Sequence, residues 1–147
     1  MVAGTFGAHG TIGGSLSPVA LSDVVAFLEN RVEPPPSPFA ADGLSAEELA
    51  GQALFEGSAG CSSCHQAPHY VPLSPAPATI VGGVGTGLAP ANVPGLRGLW
   101  ASAPYLHDGS AETLLDVLEL DTSDQHGVTS TLSSGDRDAL VAYLKTL

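Results

Sequence analysis

Residues 61–65 read Cys61-Ser62-Ser63-Cys64-His65, and this pentapeptide decides how the rest of the chain is read. Two thiols three positions apart can each add across a vinyl group of one haem, and the histidine that follows is then held beneath the iron. The motif therefore predicts one covalent haem c on Cys61 and Cys64, with His65 as the proximal ligand. Two other chemistries use the same spacing. Structural zinc wants four ligands, and the chain has only these two cysteines, so a zinc site would have to recruit scattered histidines. A redox dithiol normally follows a strand in a βαβ pattern, whereas this motif follows a helical stretch. Haem attachment is the better reading of the two thiols.

Working outward, Ser45 with Glu48 forms a capping box at the start of AEELAGQALFEG, which predicts a helix from Ser45 to about Glu56. Gly51 is costly inside that helix unless another backbone comes close. We expect Gly51 and Phe55 to pack against Leu140, Tyr143 and Leu144 of a last helix, residues 132–147. That helix has Ser133 or Ser134 as its N-cap, and Asp136 and Asp138 lie in its first turn. A further helix is expected from Ser110 to Leu120. Half of the prolines and the run Gly82 to Gly87, GGVGTG, fall between residues 66 and 95. No GK[ST] follows that run, so a phosphate loop is excluded and an irregular loop around the haem edge is expected.

Residues 16–28, LSPVALSDVVAFL, repeat the text of the last helix, Val24 aligning with Leu140, Phe27 with Tyr143 and Leu28 with Leu144. His9-Gly10 precedes one copy much as His126-Gly127 precedes the other. The expected organisation is an N-terminal segment (1–32) resembling the end of a haem module, a proline-rich linker (33–43), and a haem domain (44–147).

The composition fits a small redox module. The 147 residues hold 44% hydrophobic side chains but only 5% aromatic ones, so a haem would serve as the large apolar object around which the core packs. Four basic residues against fifteen acidic ones give a net charge of −11, which excludes nucleic-acid binding and favours basic redox partner proteins. No apolar run approaches the roughly 20 residues that cross a bilayer. Covalent haem attachment in bacteria occurs outside the cytoplasm, so a periplasmic or extracellular location is expected. The start MVAGTFGAHG has neither a charged nor an apolar signal region, so the expectation is a mature or excised part of a longer precursor.

Residues 93–120, VPGLRGLWASAPYLHDGSAETLLDVLEL, carry a resemblance. With CxxCH upstream, then P-x-LR and APYxHDG-x-x-x-TL, residues 44–147 resemble the C-terminal haem domain of the bacterial di-haem cytochrome c peroxidase superfamily. The resemblance implies an all-α fold, a small cytochrome c-like helical domain wrapped around one covalent haem with long irregular loops. Two departures bear on activity. The chain has one CxxCH rather than two. The relatives' distal methionine corresponds to a position at or near Asp121, and the only methionine here is Met1.

The distal ligand must then be another donor, or the site is open. His69 is too near His65 to reach the opposite haem face. His107 lies in a tight turn, where it would bond backbone or a propionate. His126, in the loop before the last helix, is the favoured ligand, with His107, His9, another chain or an open site as alternatives. Arg97 is expected to pair with a haem propionate, and Trp100 and Tyr105 to line the pocket. The leading function is electron transfer by a bis-histidine haem of low potential. The alternatives are a peroxidase-type haem enzyme domain, or a subunit of a multi-haem electron-conducting assembly that associates with other cytochrome subunits through the N-terminal segment.

Overall fold

Ser45, Thr113 and Ser133 each open a helix in the same way. The hydroxyl accepts the backbone N–H three residues on, and the carboxylate there accepts the cap residue's own N–H, so two orphan donors are satisfied at once. The computed structural model describes residues 17–31, 34–40, 42–71 and 93–147. Within them run α1 (Pro18–Arg31), α2 (Ala46–Glu56), α3 (Leu114–Leu120) and α4 (Ser134–Thr146), with 3₁₀ turns at Pro38–Ala40, Cys61–Ser63 and Leu99–Ala101. The described residues contain no strand, only isolated bridges between Gln66 and Val71 and between Tyr105 and Ala111. The fold is all-α. The chain divides into two compact units, Met1–Pro34 and Pro35–Leu147. Among the described residues, no helix is long and apolar enough to cross a membrane.

In the first unit, α1 is capped by the Ser17 hydroxyl, which accepts from the Ala20 amide, and leaves Val19, Phe27 and Leu28 exposed. Met1, His9 and the rest of residues 1–16 lie outside the described residues, as does the Gly-rich run within residues 72–92.

In the second unit, α2 crosses α4 so closely that a Cβ on Gly51 would overlap the Ala139 carbonyl oxygen and come within 2.8 Å of the Tyr143 Cβ. The contact predicted for Gly51 is thus made chiefly with the backbone of Ala139, one turn before Tyr143. Absence of a side chain lets Phe55 reach the Tyr143 ring edge-on, centroids 5.5 Å apart, and Phe55, Leu140 and Tyr143 are almost wholly buried. Leu114 and Leu118 of α3, with Leu96, Leu132 and Leu144, complete the core. Each such side chain contributes about 1.5–3 kcal/mol of burial.

Two expected boundaries shift for local reasons. α3 begins at Leu114 rather than Ser110, because Tyr105 and Ala111 exchange backbone hydrogen bonds across the intervening turn and Thr113 takes the cap. Residues 37–40, in the proline-rich stretch, dock on α4: the buried Ser37 hydroxyl donates to the Lys145 carbonyl, and the Lys145 ammonium lies 5.8 Å from the centre of the Phe39 ring.

Carboxylates at hydroxyl-lined turns give this fold a dependence on acid. Hydrogen bonds from Ser130 hold Asp124 below the ordinary carboxylate range, and Ser133 does the same for Asp136. A depressed folded value means the contribution is present above the unfolded pKa of about 4 and is lost as pH falls through the folded value. Thermal stability is expected to fall as pH drops below about 4, and Asp124→Asn to shrink that fall. Melting curves that keep the same pH slope in the variant would contradict this.

Candidate haem site

The CSSCH segment leaves α2 through Gly60, whose φ of +68° turns the chain sharply into the 3₁₀ turn of Cys61. The Cys64 and His65 amides both donate to the Cys61 carbonyl, at 3.2 and 2.9 Å, which brings both thiols and the imidazole onto one short turn. Both cysteines are half-buried and unpaired. Burial pushes the Cys61 thiol up to about 11, so it carries no thiolate at neutral pH, unlike the depressed thiols of redox dithiols. The described residues hold no group of three His, Cys, Asp or Glu side chains placed for one metal ion.

His65 is buried, and its Nδ1 lies 3.1 Å from the Tyr70 carbonyl oxygen. A carbonyl can only accept, so Nδ1 carries the proton and Nε2 keeps a lone pair. Desolvation lowers the His65 pKa, partly offset by backbone carbonyls of Tyr70 and Pro94, so the ring is neutral at physiological pH. Tyr70 itself adopts a left-handed backbone at φ +56°, unusual for a large residue, which aims its carbonyl at the ring. Its hydroxyl meets that of Tyr143 at 3.2 Å and its ring edge meets Phe55 at 5.9 Å, anchoring it to the α2–α4 crossing.

Opposite His65 stands His126. The ring centroids are 6.1 Å apart and the planes are inclined by 79°. Two imidazoles on one metal place their centroids about 6 Å apart, twice the sum of a bond of about 2 Å and a ring radius of roughly 1 Å. The pair fits that span. Burial lowers the His126 pKa, the nearby His65 lowers it further and Asp121 raises it, so this ring too is a neutral donor.

The loop that delivers His126 is organised by two aspartates. Asp121, buried at the end of α3, accepts the Gln125 amide on Oδ1 and the His126 amide on Oδ2, both at 2.9 Å, and its carbonyl accepts the Thr129 hydroxyl. Asp124 accepts the Thr129 and Ser130 amides, again at 2.9 Å. Gly127, at φ +88°, brings the loop against the CSSCH turn, where a Cβ would lie 2.9 Å from the Ala59 carbonyl and 3.8 Å from the Cys61 Sγ. The Val128 amide then donates to the same Ala59 carbonyl.

The remaining expected residues separate. Trp100 has a buried Nε1–H with no acceptor among the described residues, a donor left for a group such as a propionate. The Tyr105 hydroxyl donates to the Leu99 carbonyl at 3.0 Å and is engaged within the fold. Arg97, His69 and His107 are exposed, with His107 4.0 Å from Asp108. Asp121, Tyr70 and Gly127 were not anticipated. The run Asp121-Thr122-Ser123-Asp124 before a glycine is the signal that could have marked the loop, since short acidic side chains commonly bond nearby backbone amides.

With two thiols, two neutral facing imidazoles and an orphaned buried donor, the side chains present suit a haem. A family model described as "RoxA-like, cytochrome c-like" matches residues 92–125. Hydrazine synthase subunit gamma of Kuenenia stuttgartiensis is 43% identical over 58 residues, covering 38% of this chain and 16% of that protein. Cytochrome c551 peroxidase of Nitrosomonas europaea is 31% identical over 121 residues, covering 72% of this chain and 35% of that protein. The chain thus aligns with little more than a third of the longer match and far less of the other. Among solved structures, Kuenenia stuttgartiensis hydrazine synthase superposes with a TM-score of 0.62 at 26% identity, covering 90% of this chain and 56% of that one. A MauG-like protein associated with microbial copper homeostasis superposes at 0.50 with 23% identity, covering 71% and 47%, a likeness of fold. These matches and the CSSCH turn make the chain a cytochrome c-like domain that resembles the haem domains of the di-haem cytochrome c peroxidases.

Proposed function

We propose that this domain is an electron carrier holding one haem c, attached through Cys61 and Cys64 and ligated axially by His65 and His126. When bound, the haem supplies a reversible one-electron change at iron. The observation that carries the reading is the opposition of two neutral imidazoles, His65 buried and His126 half-buried, with ring centroids 6.1 Å apart. His65 and His126 close both axial positions, which favours outer-sphere transfer over binding of peroxide. Two imidazoles stabilise ferric iron better than imidazole with thioether, so the potential is low. Trp100 offers its neutral indole N–H to a propionate, and Arg97 offers a cationic contact from the surface. The net charge of −11 selects basic redox partners, and covalent attachment places the protein in the periplasm or outside the cell.

A peroxidase-type domain is the second reading, favoured by the similarity to a cytochrome c551 peroxidase. The match to a named subunit of hydrazine synthase supports the variant in which the domain works inside an assembly of cytochrome subunits. Haem stoichiometry and spin state separate these. The holoprotein is expected to carry one haem per chain, retained in denaturant, and to be six-coordinate and low-spin in both oxidation states. Cys61→Ala should leave one vinyl group unreacted and shift the pyridine haemochrome α-band to the red. A high-spin resting state that turns over peroxide would overturn the carrier reading.

A further inference from the structure

Asp121 has no part in the ligand set above, yet it is a carboxylate with only 4% of its surface exposed, and it is bonded by backbone amides. Its two oxygens are spent on the amides of Gln125 and of His126 itself, and its own carbonyl takes the Thr129 hydroxyl. The bond to the His126 amide fixes the Cα from which the imidazole projects. The bond to Gln125 fixes the peptide plane before it. Beyond His126, the Gly127 backbone rests on Ala59 and the Val128 amide donates to the Ala59 carbonyl, so the far side of the residue is tied to the CSSCH turn.

The geometry points to Asp121 as the positioning residue that keeps the distal imidazole seated, and so decides whether the sixth position of the iron is closed or open to small ligands. This rests on the assignment of His126 as the distal ligand. Burying a carboxylate is expensive unless it is fully hydrogen-bonded, and here the loop amides supply that bonding, so carboxylate and loop hold each other in place. Remove the carboxylate and the amides of Gln125 and His126 lose their acceptors together, while the side chain of His126 is unchanged. Asp124 cannot substitute, since its oxygens are taken by Thr129 and Ser130.

The test uses the haem-loaded protein and carbon monoxide as the probe ligand on the ferrous form. Asp121→Asn is nearly isosteric but turns an N–H donor toward a backbone N–H, and Asp121→Ala removes both acceptors. Ser133→Ala, which uncaps α4 and has no bond to the loop, controls for general destabilisation. Both Asp121 variants are expected to bind carbon monoxide roughly ten- to a hundred-fold faster than wild type, the factor that loss of a charge-assisted hydrogen bond allows. A high-spin fraction should appear in the ferric spectrum and be abolished by added imidazole. Ser133→Ala should match wild type in both readouts. Folded Asp121→Asn protein that binds carbon monoxide at the wild-type rate, or a Ser133→Ala variant that opens equally, would overturn the proposal while leaving the bis-histidine assignment intact. Failure of that assignment has a different signature: His126→Ala would leave the wild-type spectrum unchanged.

Discussion

His126→Ala is expected to convert a closed, six-coordinate low-spin haem into one open on its distal face. The variant keeps Cys61, Cys64 and the His65 bond to Tyr70, so haem stays attached and the proximal side is undisturbed. The Asp121 carboxylate accepts from the residue-126 backbone amide, a bond that does not involve the imidazole and so also survives, which leaves the loop folded around a missing ring. The ferric spectrum should become largely high-spin, and carbon monoxide should bind the ferrous form without having to displace an imidazole. The midpoint potential should rise by on the order of 100 mV, because axial ligand identity alone moves haem potentials over about 0.8 V. The corresponding His107→Ala and His69→Ala variants should leave spectrum and potential unaltered, since both side chains are exposed and neither faces His65. An unchanged potential in His126→Ala, or a large shift in His107→Ala, would remove His126 from the ligand set.

Gly51→Ala should produce the largest stability loss of any single methyl added to this fold. Helix propensity alone argues the other way, favouring alanine by about 1 kcal/mol. The new Cβ, however, would occupy the space of the Ala139 carbonyl oxygen, and the Tyr143 Cβ stands 2.8 Å away. Neither obstacle is the end of a flexible side chain, so α2 and α4 must move apart and loosen the Phe55–Tyr143 contact. Overpacking costs of about 1–3 kcal/mol are usual, and a backbone obstacle belongs at the upper end. Set against the propensity gain, a net loss of about 2 kcal/mol would lower Tm by roughly 8 °C in a domain of this size. The same substitution also reaches the site, because Tyr143 bonds Tyr70, whose carbonyl holds His65. Thermal unfolding of the holoprotein checks this. A Tm at or above that of wild type would mean that propensity wins and that the helices are not in the close contact described.

How much of this was legible depends on how local the determinant is. The capping box at Ser45 formed as read, and of the two N-caps offered for the last helix Ser133 takes the position, with Asp136 closing a box that had not been read. Gly51 was legible as a close approach because a mid-helix glycine is otherwise a cost, though its partner turned out to be the Ala139 backbone, which no side-chain pattern reveals. The start of α3 was misread at Ser110 because the Tyr105–Ala111 bridge, a contact across a turn, outweighs the favourable helical text. In the site, His126 was reached by eliminating methionine and weighing loop position, and the structure brings its ring opposite His65. What holds it there was not legible. Asp121 acts on backbone amides four and five residues later, and Tyr70 acts through its carbonyl, so both depend on chain path rather than on side-chain type. The Tyr105 hydroxyl, whose partner is the Leu99 carbonyl, was likewise beyond reach of side-chain type alone.

The most direct measurement is low-temperature electron paramagnetic resonance of the ferric holoprotein. Imidazole planes inclined by 79° leave the two iron orbitals that interact with the ring π-systems nearly equal in energy. The account predicts a strongly axial low-spin signal with one large g value, lost in His126→Ala. A high-spin signal, or a low-spin signal that persists without His126, would contradict it.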